Sequence, residues 1–233
     1  MSATKYDHKE LQRRLKEDEL GLFFEELTEN TKRFFADYGR LLGYALALAL
    51  VIALAGYLWM MKKRSDFTES QILLGNATLY IQQDKFQDAL NPLGKIVSEY
   101  AGTAIAPFAY VLRGDCYFQT KQFDLALKDY QAALPKLNPN DAIPVRIAMI
   151  QTLRSLGNAD PALREIEQME SSVKTPTLKE HLLFLKGGCY EDKNDAAKAL
   201  EAYKAIPKDS RWRGLALERI EWIETQPVPA VNS

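Results

Sequence analysis

Hydrophobic and polar positions divide the chain into three stretches. Residues 1–40 are polar with interspersed aromatics, residues 41–61 are apolar without a break, and the remainder mixes apolar and polar positions at helical spacing. The middle stretch, LLGYALALALVIALAGYLWMM, holds 21 uncharged residues from Leu41 to Met61 and is closed by Lys62, Lys63 and Arg64. At about 1.5 Å per residue such a helix reaches roughly 30 Å, the thickness of a bilayer's hydrocarbon core. Tyr44 near one end, and Tyr57 with Trp59 near the other, sit where amphipathic rings favour the headgroup level. A cleaved leader would carry about 7–15 apolar residues close to its start, and a buried soluble helix about 10–14. The pattern therefore predicts a membrane anchor.

Beyond residue 64 the apolar positions repeat. KFQDALNPL, QFDLALKDY, NADPALREI and DAAKALEAY superimpose on Ala89, Ala126, Ala162 and Ala199, at spacings of 37, 36 and 37 residues. Each alanine precedes a leucine (Leu90, Leu127, Leu163, Leu200), and Leu93, Tyr130, Ile166 or Tyr203 follows four residues on. Nine residues before each alanine stands Tyr80, Tyr117, Leu153 or Tyr190. This spacing predicts a pair of amphipathic helices repeated four times, with a small residue where two helices approach closely. Short polar turns at Gln83-Asp84-Lys85, Lys121-Gln122, Gly157-Asn158 and Lys193-Asn194 separate the members of each pair. One pair cannot bury its apolar face alone, so the pairs stack.

The pattern resembles the tetratricopeptide repeat, most closely in the second copy, where Tyr110, Gly114, Tyr117, Phe123, Ala126, Tyr130 and Ala133 stand at that family's spacing. The first and third copies depart from it, with Ala77 and Ile150 where Gly114 and Gly187 stand in the others. The expected fold is all-α: a single transmembrane helix, then a tetratricopeptide-like solenoid of about four helix pairs plus a C-terminal capping helix, Trp212 to Ile223. The expected organisation is a tail with an amphipathic helix (1–40), the span (41–61), the repeat domain (65–225) and a disordered tail (226–233) containing Pro227 and Pro229.

Charge and chemistry narrow the function. After residue 64 the chain carries 19 Lys and Arg against 22 Asp and Glu, a balance that offers no basic face for nucleic acid. Cys116 and Cys189 share one repeat phase 73 residues apart, with helices of about 10 Å diameter between them, beyond the ~7 Å reach of a disulfide. Small packed residues inside helix pairs, expected to remain free thiols, are the simplest reading. His8 and His181 are the chain's two histidines, and no phosphate loop, nucleophile elbow or metal-ligand spacing occurs. An enzyme is not expected, nor a catalytic residue, metal or cofactor.

The tetratricopeptide resemblance implies a partner groove lined by the first helices of successive pairs. Carried over by repeat phase, it comprises Leu74, Thr78 and Ile81, then Phe108, Val111, Asp115, Phe118 and Gln119, then Ile147, Gln151 and Arg154, then His181, Phe184 and Glu191. Aromatics at helical spacing also serve as core, so exposure separates the two roles. The family's clamp for C-terminal carboxylates uses Lys and Asn at groove positions held here by Leu74 and Thr78, which implies that this clamp is absent.

Ala45, Ala49, Ala53 and Gly56 form a ridge of small residues along the span, suited to close helix approach, and alanine is also simply common in bilayer helices. In the tail, Leu20, Phe23, Phe24, Leu27, Phe34 and Phe35 at helical spacing suit the membrane interface or a neighbouring protein. Three cations flank each end of the span (Lys32, Arg33, Arg40; Lys62, Lys63, Arg64), so the positive-inside rule is tied. A 40-residue tail with eight Lys and Arg is awkward to translocate, which favours a cytoplasmic tail and repeats on the far side.

The nine residues from Lys32 to Arg40, KRFFADYGR, set directly before a span and degenerate helical repeats, resemble the YfgM-type ancillary subunits of the bacterial SecYEG translocon. The chain departs from them in its longer charged tail, Met1 to Asn30, and in Lys62-Lys63-Arg64. The resemblance implies a single-pass inner-membrane protein whose periplasmic repeats bind translocon subunits, a periplasmic chaperone and newly exported clients. Two other readings stand beside it: a structural scaffold of an envelope machine (secretion, motility or division), or a cytoplasm-facing docking platform if the topology is reversed.

Overall fold

The structure, a computed structural model, describes residues 8–225; the tail expected to be disordered at 226–233 lies outside the described residues. The described residues are helical throughout, without a strand. In chain order the elements are α1 (His8–Gln82), α2 (Phe86–Glu99), α3 (Ala106–Gln119), α4 (Phe123–Ala133), a 3₁₀ turn (Leu134–Lys136), α5 (Pro139–Ser155), α6 (Ala159–Ser172), α7 (Pro176–Asp192), α8 (Ala196–Lys204) and α9 (Arg213–Thr225). The chain forms two compact units, Met1–Lys62 and Lys63–Ser233.

In the first unit, the described residues belong to α1. The stretch Asp18–Gln82 is long and apolar enough to cross a membrane by length and composition, and none of its most apolar window is buried. Ala45, Ala49, Ala53 and Gly56 are all exposed along it.

The second unit is a solenoid whose consecutive helices pack in chain order from α2 to α9, with α3 also meeting α5, and α5 meeting α7. The helices bury one stripe each. In α2 that stripe is Ala89, Leu93, Ile96 and Val97; in α6 it is Ala159, Ala162, Leu163, Ile166 and Met169. The i, i+3, i+4, i+7 spacing follows from 3.6 residues per turn. Ala89, Ala126, Ala162 and Ala199 are all fully buried, because a methyl group is what fits where the paired helices come closest. The apolar face ends on α9, one residue after the expected start at Trp212, and α9 buries Ala216 and Ile220 against the last pair.

Each helix pair turns through one hydrogen-bonding device. Lys85, Gln122, Asn158 and Asp195 donate their backbone N–H to the carbonyls of Tyr80, Tyr117, Leu153 and Tyr190, at 2.9, 2.8, 2.8 and 2.9 Å. The preceding residues Asp84, Lys121, Gly157 and Asn194 donate to Ile81, Phe118, Arg154 and Glu191, and have φ of +56°, +61°, +75° and +58°. These are Schellman caps, in which a left-handed residue satisfies the last helical carbonyls. Asp and Asn tolerate that conformation through their short polar side chains; Lys121 has no such help and carries about 1–2 kcal/mol of steric cost. Lys121→Gly is therefore expected to raise stability by about 0.5–1 kcal/mol, after the larger chain entropy of glycine is subtracted. Chemical denaturation checks it, and an unchanged or lowered midpoint would show that Lys121 is not strained.

Facing positions on the two helices of each pair share a fixed volume. Gly114 lies under the Tyr130 ring and Gly187 under the Tyr203 ring, where an added Cβ would fall 2.7 and 2.5 Å from the nearest ring carbon. The corresponding partners in the first and third pairs are Ala77 with Leu93 and Ile150 with Ile166, all fully buried. A small residue on one helix is matched by a large one on the other, and a medium residue by a medium one, as close packing requires.

Candidate protein-binding groove

The first helices of successive pairs are residues 63–82 of α1, then α3, α5 and α7, and the α3–α5 and α5–α7 contacts line up three of them side by side. None of the fourteen residues expected along this face is fully buried. They do not, however, form one uniform strip.

Leu74 and Thr78 share a shallow surface on α1 with Gln71, Ile72, Gly75 and Leu79, which Ile105 closes on the far side. Ile81 instead packs against the core between α1, α2 and α3. Phe108, Val111 and Asp115 of α3 face Asp141, Pro144, Val145 and Ala148 of α5 across a hollow bordered by Leu137. Phe108 is 46% exposed, an unusual position for a phenylalanine on a packed helix. Ile147 is partly buried against the central core. Phe118, Gln151 and Arg154 come together with Ser155 and Asp192 in a more polar surface, and Gln119 is exposed beside Phe118 in the chain. Phe118 is half-buried, its ring edge against Phe123 at 5.3 Å.

At the far end the groove is covered. Trp212, just before α9, stacks on His181 with ring centroids 4.0 Å apart and on Phe184 at 5.4 Å. Burial and the nearby Arg211 guanidinium hold the His181 imidazole below its usual range. Glu191 is also occupied: its carboxylate accepts from Tyr203 and from Arg219 of α9.

Ion pairs hold the walls. Arg154 donates to Asp192 at 2.7 and 3.3 Å, joining α5 to α7, and Gly188 leaves room for it, since a Cβ there would lie 2.5 Å from the guanidinium. Arg113 donates to both oxygens of Asp129, at 2.6 and 2.7 Å. Sequence reasoning missed Asp141, Pro144, Ala148 and Trp212. The signal for Asp141 was present: Asn138-Pro139 reads as an N-cap with proline at the first helical position, and Asn138 Oδ1 does accept from the amides of Asn140 and Asp141.

Cys116 and Cys189 are free and fully buried, and burial pushes both thiols up to about 11. Against an ordinary value of about 8.5, iodoacetamide labelling at pH 8 is expected to be more than ~100-fold slower in the native chain than in denaturant. Rapid native labelling of either cysteine would contradict that packing. Among the described residues no group of His, Cys, Asp and Glu is arranged to hold a metal ion.

Stacked helix pairs around an open groove define an all-α repeat protein of the kind that works by binding other proteins. A profile of the tetratricopeptide repeat-like domain matches residues 32–213, and the chain belongs to that family. No curated protein matches the chain. Among solved structures the fold is similar to MamA 41-end from Desulfovibrio magneticus RS-1, with a TM-score of 0.56 and 11% identity, over 67% of this chain and 84% of that one. It is similar also to the MamA RS-1 ArsTM double mutant, with a TM-score of 0.51 and 11% identity, over 67% and 94%. At these identities the likeness is one of fold.

Proposed function

We propose that the chain is a single-pass protein of the bacterial inner membrane, with tail 1–40 in the cytoplasm, a span at 41–61 and the repeats at 65–225 in the periplasm. There the repeats bind newly exported proteins or a periplasmic chaperone beside the Sec translocon, reversibly and without catalysis. The observation that carries this reading is the half-exposed Phe108 at an apolar hollow on a protein-binding fold, encoded in one chain with a long exposed apolar helix. The KRFFADYGR segment before the span, which resembles that of translocon-associated subunits, supplies the particular setting. The small-residue ridge Ala45, Ala49, Ala53 and Gly56 would let the span pack against another membrane helix.

Protease added to spheroplasts is expected to digest the repeats, and inverted vesicles to protect them. The opposite pattern would place the groove in the cytoplasm and remove the translocon reading. A photo-crosslinker at Phe108 is then expected to trap several exported chains; one stoichiometric adduct with a folded protein would instead favour an envelope scaffold.

A further inference from the structure

The hollow between α3 and α5 combines an apolar lining with two carboxylates, Asp115 and Asp141, that form no ion pair among the described residues. Its volume, about 260 Å³, lies below the roughly 300–1,000 Å³ of small-molecule pockets and suits one large side chain of a partner. Phe108, Val111, Val145 and Ala148 supply the apolar surface, and Asp115 and Asp141 the charge. Asp115 accepts only the Tyr130 hydroxyl, at 2.7 Å, and Asp141 accepts from the Asn138 amide, at 2.5 Å.

The cations nearest in the chain are engaged elsewhere, Arg113 with Asp129, Arg146 with Glu165 and Lys136 over the Tyr110 ring at 4.9 Å. Further along the groove, Arg154 pairs with Asp192 and Glu191 with Arg219. Among the described residues, then, the ionic groups of the groove are matched within the fold except at this hollow. Burial raises the Asp115 carboxyl above its ordinary range, although the Tyr130 hydrogen bond opposes the shift. An incoming cation would relieve that unfavourable charge, and the resulting attraction would be stronger than at an open surface because the site is partly desolvated.

We infer that this hollow takes a large apolar side chain flanked by Lys or Arg from a bound polypeptide segment, with Asp115 and Asp141 meeting the cation, and that it discriminates against acidic segments. The inference rests on the groove-binding reading above and adds its selectivity. The polarity is opposite to that of a carboxylate clamp.

The test uses the full chain in zwitterionic nanodiscs, with empty nanodiscs as control. Three fluorescent 12-residue peptides serve as probes, each of Leu and Phe separated by Lys, by Gln or by Glu, and binding is read by anisotropy at two salt concentrations. The Lys peptide is expected to bind about tenfold more tightly than the Gln peptide, less so at high salt, and the Glu peptide most weakly. In the D115N/D141N variant, which keeps the acceptor for Tyr130, the preference for the Lys peptide over the Gln peptide is expected to vanish. D141N alone, at an exposed helix start, is expected to remove part of the difference and serves if the double variant melts early. If Lys and Gln peptides bind alike to the parent, or the Lys preference survives in D115N/D141N, the selectivity is refuted while weakening of every peptide by F108A keeps the groove. If F108A weakens none of them, the groove reading itself falls.

Discussion

Asp129→Ala is expected to lower the stability of the repeat domain by about 3 kcal/mol, the lower end of the range for breaking a buried ion pair. The Asp129 side chain is 4% exposed and binds the Arg113 guanidinium through both oxygens. Arg113 in turn lies over the Tyr110 and Tyr117 rings, so one cation ties α3 and α4 together, with its end beside Gly94 of α2. Its 19% exposure lets water recover part of the lost interaction, which keeps the expected loss at the low end. Asp129→Asn retains the shape and one acceptor and should cost less. The double replacement Arg113→Met with Asp129→Leu should recover most of the loss, because an apolar pair avoids the desolvation that the ions suffer. Hydrogen exchange is the suitable readout, since a solenoid loses stability locally and a single melting midpoint blurs it. Protection should fall first in α3 and α4. A loss spread evenly from α2 to α9, or none, would show that this pair does not organise the second repeat.

The fold was legible in the sequence because each repeat carries its alanine at nearly fixed spacing, and an alanine at the closest helix approach cannot be enlarged. The long apolar helix was legible because 21 uncharged residues form a signal that needs no tertiary context. The turns were legible only as polar interruptions: glycine marks one of the four left-handed positions, while Asp84, Lys121 and Asn194 hold the others. The helix face on which the candidate groove residues lie was legible by phase, and all fourteen keep some exposure. What covers or neutralises them was not. Trp212 on His181, Arg219 on Glu191 and Asp192 on Arg154 join residues 31, 28 and 38 positions apart, and no local pattern encodes such pairings. The accessible part of the groove is accordingly shorter than the repeat phase alone implies, with its apolar opening centred on α3 and α5.

The matched volumes across each helix pair lead to the second large effect. Gly114→Ala places a methyl group 2.7 to 3.1 Å from three carbons of the Tyr130 ring, which is pinned at its other end by the hydrogen bond to Asp115. Overpacking of this kind costs about 1–3 kcal/mol, and the better helix propensity of alanine offsets up to about 1. A net loss near 2 kcal/mol is expected. Tyr130→Leu alone opens a cavity and removes a buried hydrogen bond, for a loss of about 3 kcal/mol. The informative variant is the pair, because Ala with Leu is the combination that the first repeat already uses at Ala77 and Leu93. In the Tyr130→Leu background the added methyl group should fill space instead of colliding, so Gly114→Ala should become stabilising by about 1 kcal/mol. The sign of that one substitution thus reverses with the identity of its neighbour. Strict additivity of the two changes would mean that the Tyr130 ring moves aside freely, and that the glycines at 114 and 187 are not there to admit an aromatic.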